Sequence, residues 1–174
     1  MKIARAHAVL LAAAAVVACG TTPPSPAPAA ATETPVTWSV SAAGLGGPAA
    51  PGGTSTFSAI VTAKIARGWH IYAMSQPPGG PVPLAISLKT DSPFAAAGDI
   101  VEPTPKTTFD ANFNLETRFF EDEAAFTVPV RAAATGAGSP DALALDVRYQ
   151  ACADTQCMPA KTTTLTLNVK SGSH

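Results

Sequence analysis

The feature that most constrains the fold is a period-two alternation of apolar and polar side chains. In "TFSAIVTAKIA" (56–66) the apolar set is Phe57, Ala59, Val61, Ala63 and Ile65. The same alternation is present in "ALALDVRYQA" (142–151) and "KTTTLTLNV" (161–169). This period is typical of a β-strand with one buried face. No stretch of ten or more residues combines a helical period with helix caps, so the pattern predicts an all-β fold.

Further strand candidates are separated by segments rich in Gly and Pro, such as "SQPPGGPVP". They are residues 36–42, 69–74, 84–90, 116–120 and 124–133. About eight strands at this spacing predict an immunoglobulin-like antiparallel β-sandwich. Residues 36–170 have the length of one ordinary domain.

The N-terminus predicts export. Residues 1–19 contain Lys2 and Arg5 followed by an apolar run to Ala18, which is typical of a secretory signal peptide. The run ends in "VVAC", which resembles a bacterial lipobox and predicts lipidation of Cys19. Residues 20–35 are rich in Pro, Ala and Thr and predict an extended tether, and residues 171–174 form a tail. The predicted location is therefore periplasmic, with a lipid anchor as the only attachment to a membrane.

Charge excludes one class of partner. The formal net charge is −1 and the sequence has no basic cluster, so we expect no nucleic-acid partner.

The other two cysteines, Cys152 and Cys157, lie four residues apart in "YQACADTQCMPAK". If Cys19 is lipidated, they form an even pair in an exported chain. The pattern places them in the turn between a strand that ends at Ala151 and one that starts near Lys161. A disulfide that closes so short a loop contributes only about 2 kcal/mol in the chain-entropy model, so as a structural cross-link it would stabilise the fold only weakly. A structural and a redox function both remain open on this reasoning.

Metal binding is a third possibility. Structural zinc usually takes four Cys or His ligands, yet His7 lies in the signal peptide and His174 in the tail, which leaves His70. A cuprous site of Cys152, Cys157, Met158 and His70 is chemically permissible, because soft sulfur ligands suit that ion. The shortage of histidines and the lack of a "GxSxG" elbow disfavour triad hydrolysis.

Three segments carry a family resemblance. "VRYQACADTQCMPAKTTTLTL" resembles the active-site hairpin of the N-terminal periplasmic domain family of DsbD, the thiol:disulfide interchange protein. "GWHIYAMSQ" (68–76) resembles its Gly-aromatic-x-x-Tyr strand. "FDANFNLETRFFEDEAAFTVPV" (109–130) resembles its cap-loop region and the strand that follows. The matching segments span most of residues 36–170.

The resemblance implies an immunoglobulin-like sandwich whose Cys pair cycles between disulfide and dithiol. Carried over, Cys157 is the thiol that exchanges with partners and Cys152 the thiol that resolves the mixed disulfide. A cap-loop aromatic shields the pair, with Phe113 as the first match and Phe109 as the second. His70 and Tyr72 fall where the family has aromatic residues near the pair, and Asp110 falls where it has a cap-loop acid.

The resemblance also implies a relay of reducing equivalents from a membrane or thioredoxin-like donor to periplasmic oxidoreductases, without a cofactor. The turn has four residues where the best-known members have five. No polytopic membrane segment or thioredoxin-like domain follows residue 170, so the donor is expected to be a separate protein. No Lys, Arg or His is adjacent to either cysteine, and Asp154 opposes a thiolate, so the pair is expected to depend on a partner. The competing function is a non-catalytic binding module with a structural disulfide, or a cuprous-ion-binding lipoprotein.

Overall fold

The fold is taken from a computed structural model that describes residues 34–44, 56–132, 141–153 and 155–169. These residues form β-strands, turns and bends, and none of them is helical. The described part therefore contains no helix that could cross a membrane. The strands are β1 (Val36–Ala43), β2 (Thr56–Ile65), β3 (His70–Tyr72), β4 (Ala85–Leu88), β5 (Phe94–Ala96), β6 (Lys106–Asp110), β7 (Leu115–Phe120), β8 (Glu123–Ala132), β9 (Ala142–Tyr149), β10 (Ala151–Ala153), β11 (Gln156–Cys157) and β12 (Lys161–Asn168).

The strands form three sheets, and the strand pairs within them are antiparallel. One sheet has the order β1-β2-β8-β5, the second β11-β10-β3-β7-β6, and the third β12-β9-β4. The inward faces share one apolar core. Trp38 of the first sheet contacts Tyr149 of the third with tilted rings at 5.1 Å between centroids, and Phe120 of the second contacts Phe126 of the first at 5.4 Å. The first sheet thus packs against the other two as a sandwich.

The alternation predicted from the sequence is confirmed on the two central strands. The apolar set of β2, from Phe57 to Ile65, is buried. On β9 the buried set is Leu143, Leu145, Val147 and Tyr149. Because alternate side chains of a strand point to opposite faces, the other set lies on the outer side.

The prediction that Cys152 and Cys157 lie at the end of the hairpin formed by the two long C-terminal strands is confirmed, because both cysteines lie in the connection between β9 and β12. Those strands, β9 and β12, pair in the third sheet, whereas the cysteines lie on β10 and β11 of the second sheet. The ladder is interrupted at Gln150, whose side chain bonds to the backbone of two other segments. The chain therefore leaves one sheet and enters another between Tyr149 and Ala151.

Four short strands, β5, β6, β10 and β11, were not among the predicted segments. They have two to five residues each, which is too short for a recognisable alternation. Three of them belong to the sheet that carries the cysteines. The sequence pattern thus identifies the strands of the core better than those of the candidate site.

Candidate redox site

The cysteines face each other at the edge of the five-stranded sheet. Cys152 on β10 is the register partner of Cys157 on β11, and their sulfurs form a disulfide. Cys152 is fully buried, whereas Cys157 is partly exposed on the outermost strand. An incoming thiolate therefore reaches the sulfur of Cys157 more readily than that of Cys152.

Gln150 holds the base of this hairpin. Its Oε1 accepts a hydrogen bond from the Val82 backbone N–H at 3.1 Å, and its Nε2 donates to the Met158 carbonyl at 3.3 Å. The Met158 N–H in turn donates to the Ala151 carbonyl at 2.9 Å. One side chain thus ties the residues before Cys152 and after Cys157 to the Pro-rich loop that follows β3. In the sequence, Gln150 was recognisable only as part of the Tyr-Gln-x-Cys pattern, and that pattern did not indicate its structural role.

His70 lies beside the buried cysteine. It is the register partner of Cys152 in the pairing of β3 with β10. Directly opposed residues of an antiparallel pair place their Cβ atoms about 4.5–5.5 Å apart on the same face. The sequence has no basic residue adjacent to either cysteine, but strand pairing brings an imidazole next to Cys152.

An aromatic row extends from His70 across this face of the sheet. The His70 ring makes edge contacts with Tyr72 at 5.1 Å and Phe119 at 5.3 Å between centroids. Tyr72 in turn contacts Phe113 edge-on at 5.9 Å. Such edge-to-face pairs hold ring orientation because the positive edge of one ring meets the negative face of the next. Phe119 was not among the residues singled out from the sequence, since nothing in its spacing distinguishes it from a core aromatic.

A buried hydrogen bond joins this row to the β6–β7 hairpin. The Tyr72 hydroxyl donates to Asp110 Oδ2 at 2.7 Å, and both residues are buried. Burial, followed by the hydrogen bond to Asp110 and the charge of its carboxylate, raises the pKa of Tyr72 far above its ordinary value. Tyr72 therefore stays a neutral donor in the folded protein.

The turn between β6 and β7 is organised by the same carboxylate. Asp110 Oδ1 accepts a hydrogen bond from the Asn112 backbone N–H at 2.9 Å, and the Asp110 carbonyl accepts one from Phe113 at 3.3 Å. Asn114 closes the turn with a φ of 53°, a left-handed conformation that Asn tolerates well. This turn places Phe113 against Tyr72, so Asp110 acts both as a turn former and as the partner of Tyr72.

A cleft of about 350 Å³ opens beside the disulfide hairpin. Its walls include His70, Phe109, Asp110 and Ala153. Phe109 is 61% exposed, in contrast to the half-buried Phe113. The two aromatic residues predicted as the cap therefore occupy different environments: Phe113 packs on the row, and Phe109 stands at the mouth of the cleft.

Thr117 lies in the wall of the same cleft. It is 1% exposed, and its hydroxyl has no hydrogen-bond partner within the described residues. Nothing in the sequence distinguished this threonine from the others of the chain.

Three predicted features cannot be placed on this site. Cys19 and the rest of residues 1–33, Asp154, and residues 170–174 lie outside the described residues. Across the described ranges, no cluster of three or more His, Cys, Asp or Glu side chains is arranged to hold a metal ion.

The family model "Thiol:disulfide interchange protein DsbD, N-terminal" matches residues 49–169. The chain belongs to the DsbD N-terminal domain family. No curated protein matches the chain.

Two solved structures resemble this chain. The N-terminal periplasmic domain of ScsB from Proteus mirabilis superposes with a TM-score of 0.54 at 19% identity, covering 78% of this chain and 47% of that one. This chain thus spans about half the length of the ScsB domain. The reduced DsbD N-terminal domain of Neisseria meningitidis gives a TM-score of 0.45 at 19% identity, covering 64% of this chain and 76% of that one.

Family membership confirms the fold class, because DsbD N-terminal domains are immunoglobulin-like. DsbD N-terminal domains are also periplasmic, in agreement with the export predicted from residues 1–19. The family model is named for thiol:disulfide interchange, and the Cys152–Cys157 disulfide agrees with that chemistry.

Proposed function

We propose that this protein relays reducing equivalents by thiol:disulfide exchange, from a membrane or thioredoxin-like donor to periplasmic oxidoreductases. The observation that supports this most is the placement of the disulfide. It joins directly opposed residues on the edge strand β11 and its neighbour β10, with Cys157 partly exposed and Cys152 buried. A partner thiolate can therefore attack the sulfur of Cys157, and the sulfur of Cys152 is then the leaving group.

In the accepting half-reaction, a thiolate of the donor attacks Cys157 Sγ. A bond forms between these two sulfurs, the Cys152–Cys157 bond breaks, and Cys152 leaves with the electron pair. The second thiolate of the donor then attacks the donor's own sulfur in the mixed disulfide and releases Cys157. The donor ends oxidised and this protein ends as a dithiol, ready to reduce an acceptor disulfide by the same steps in reverse order.

Phe113 and Phe109 complete the proposal as cap residues. Phe113 lies on the aromatic row that leads from Tyr72 to His70, and Phe109 lines the cleft beside the hairpin. Aromatic side chains at these positions would restrict access of unspecific thiols to the disulfide, while a partner that displaces them gains access.

Lipid attachment at Cys19 is the remaining part of the proposal. It rests on the "VVAC" ending of the apolar N-terminal run. Metabolic labelling with a fatty-acid probe should tag the protein, and Cys19→Ser should abolish the label. A tagged Cys19→Ser protein would contradict the assignment.

Trapping in cells tests the relay. Cys152→Ala leaves Cys157 without its resolving thiol, so mixed disulfides with partners should accumulate and can be identified by mass spectrometry. Cys157→Ala is the matched control, because it leaves the buried sulfur alone and should trap few partners. The opposite pattern would reverse the two assignments, and trapping by neither variant would contradict the relay.

The reduction potential separates exchange from a structural disulfide. Structural disulfides of exported proteins lie below about −300 mV. We expect a value above that for Cys152–Cys157, measured by equilibration with a thiol redox buffer. A value well below it would favour a binding module that uses the disulfide only as a staple.

A further inference from the structure

We propose that His70 exchanges a proton with the Cys152 sulfur during each thiol:disulfide exchange, and so serves as the general acid and base of the reaction. This inference rests on the proposed function and assigns a residue to the proton that the exchange has to move.

The first observation is position. His70 is the direct register partner of Cys152, on the strand next to β10 and on the side away from Cys157. Direct partners share one face of the sheet, so the imidazole and the sulfur lie on the same side. His70 is the one histidine within the described residues. The family resemblance placed it near the pair, and strand pairing sets it directly opposite Cys152.

The second observation is burial of the leaving sulfur. Cys152 is fully buried, and an isolated buried charge is costly. When Cys157 is attacked, Cys152 receives a full negative charge at that position. A proton donor beside it removes the charge, whereas solvent has no direct access to the sulfur.

The third observation is that the imidazole is held in place and has a path to water. The rings of Tyr72 and Phe119 contact it edge-on. His70 is partly exposed and lines the cleft of about 350 Å³. It can therefore exchange its proton with solvent through the cleft while keeping its position beside Cys152.

Several charged or titratable groups face this cleft or the row beside His70. Asp110 accepts a hydrogen bond from the Tyr72 hydroxyl. Glu121 pairs with Lys106, which is opposite Phe119 in the register. The acidic side chains Asp110 and Glu121 also line the cleft. Imidazole is the side chain whose ordinary titration falls between pH 5 and 8, so it can both give and take a proton near neutral pH.

A donor thiolate attacks Cys157 Sγ, the new S–S bond forms as the Cys152–Cys157 bond breaks, and the departing Cys152 sulfur takes a proton from the imidazolium of His70. In the reducing direction neutral His70 removes the Cys152 thiol proton. The resulting thiolate attacks Cys157 Sγ in the mixed disulfide, and the acceptor's sulfur departs with the electron pair.

The test is the pH dependence of disulfide reduction. The oxidised protein is mixed with dithiothreitol between pH 5 and pH 8, and the rate constant is divided by the concentration of dithiothreitol thiolate at each pH. In the wild type the corrected rate constant should rise as pH falls, because His70 becomes protonated. A positive charge beside a thiolate stabilises it by about one pKa unit or more, so we expect His70→Phe to be slower by about tenfold at the acid end.

Two variants of His70 separate loss of the proton donor from loss of side-chain packing. His70→Phe retains a ring between Tyr72 and Phe119, and His70→Gln retains a polar side chain, so both should give a flat corrected profile. Trp69→Phe is the matched control, since it alters an aromatic side chain one residue away that packs against the core and should keep the rising profile.

The outcomes separate the two proposals. If either His70 variant keeps the profile of the wild type, the assignment of His70 is wrong and the proposed function stands. If the wild-type disulfide resists dithiothreitol throughout this pH range, both proposals are wrong.

Discussion

The core strands and the cysteine-bearing sheet of this protein are built in different ways. β2 and β8 each have ten residues, pair along almost their whole length, and bury apolar side chains. The strands of the cysteine-bearing sheet have two to six residues. That sheet also buries polar groups, namely the Tyr72 hydroxyl, Asp110 and Thr117.

This difference indicates how stability and chemistry are divided within one domain. Apolar burial is nondirectional, and it stabilises the core in proportion to area. The redox face depends on specific hydrogen bonds and register pairs, whose net contributions to stability are smaller. Changes in the core should therefore alter the free energy of unfolding, whereas changes at the redox face should alter exchange more than folding.

The largest effect is expected in the core. Phe126 is fully buried between Trp38 and Phe120, so Phe126→Ala should lower the free energy of unfolding by about 3–5 kcal/mol. Urea unfolding measures this loss, and the reduction potential of the remaining folded protein should not change. A loss of less than about 1 kcal/mol would contradict the importance given to apolar burial here.

A smaller loss is expected from the buried hydrogen bond. Tyr72→Phe keeps the ring but removes the donor to Asp110, which should cost about 1.5–3 kcal/mol because a buried carboxylate loses its partner. Tyr149→Phe is the matched control, since the Tyr149 contacts to Trp38 and Lys161 are made by its ring. Equal losses in the two variants would show that the hydrogen bond contributes nothing specific.

The disulfide itself should contribute no more than about 2 kcal/mol, because it closes a short loop. Urea unfolding of the oxidised and the reduced protein measures the difference, and the reduced protein should remain folded. The double variant Cys152→Ala/Cys157→Ala should unfold identically with and without reductant. Unfolding of the domain on reduction would contradict a cycle between two folded states.

The raised pKa of Tyr72 should make the stability of the fold depend on pH in the alkaline range. Burial and Asp110 raise its pKa in the folded state, so the neutral phenol stabilises the fold below the ordinary tyrosine value. This stability is lost as pH rises above about 10, by about 1 kcal/mol at pH 11, because the unfolded chain ionises first. Unfolding measured from pH 8 to 11 should show a shallower alkaline decline in Tyr72→Phe than in the wild type. Parallel declines would contradict the raised pKa.

The smallest effect is expected at the surface. Lys106 pairs with Glu121 at 2.6 Å, but both side chains are exposed, and such pairs contribute little to stability. Lys106→Met should leave the urea midpoint unchanged within error. A clear shift of the midpoint would show that this exposed ion pair contributes measurably to stability at the edge of the cysteine-bearing sheet.

The difference between the two regions also explains what the sequence could predict. The long strands β2, β8 and β9 were recognisable because each buries every second residue. β10 and β11 were not, because a strand of two or three residues has no measurable period. Phe119, Thr117 and Gln150 were missed as members of the site's framework, since each depends on partners distant in sequence.

The sequence by itself determined the all-β class and the buried faces of the long strands. It also determined that Cys152 and Cys157 are close enough in the chain to form a disulfide. These are local properties of residue order. Tertiary structure alone decided that the cysteines leave the sheet of β9 and β12 and join β3. It also decided that His70 is opposite Cys152 and that Asp110 accepts a hydrogen bond from the Tyr72 hydroxyl. The physical reason is that strand pairing and buried hydrogen bonds join residues far apart in the chain, and no local pattern encodes which partner each will meet.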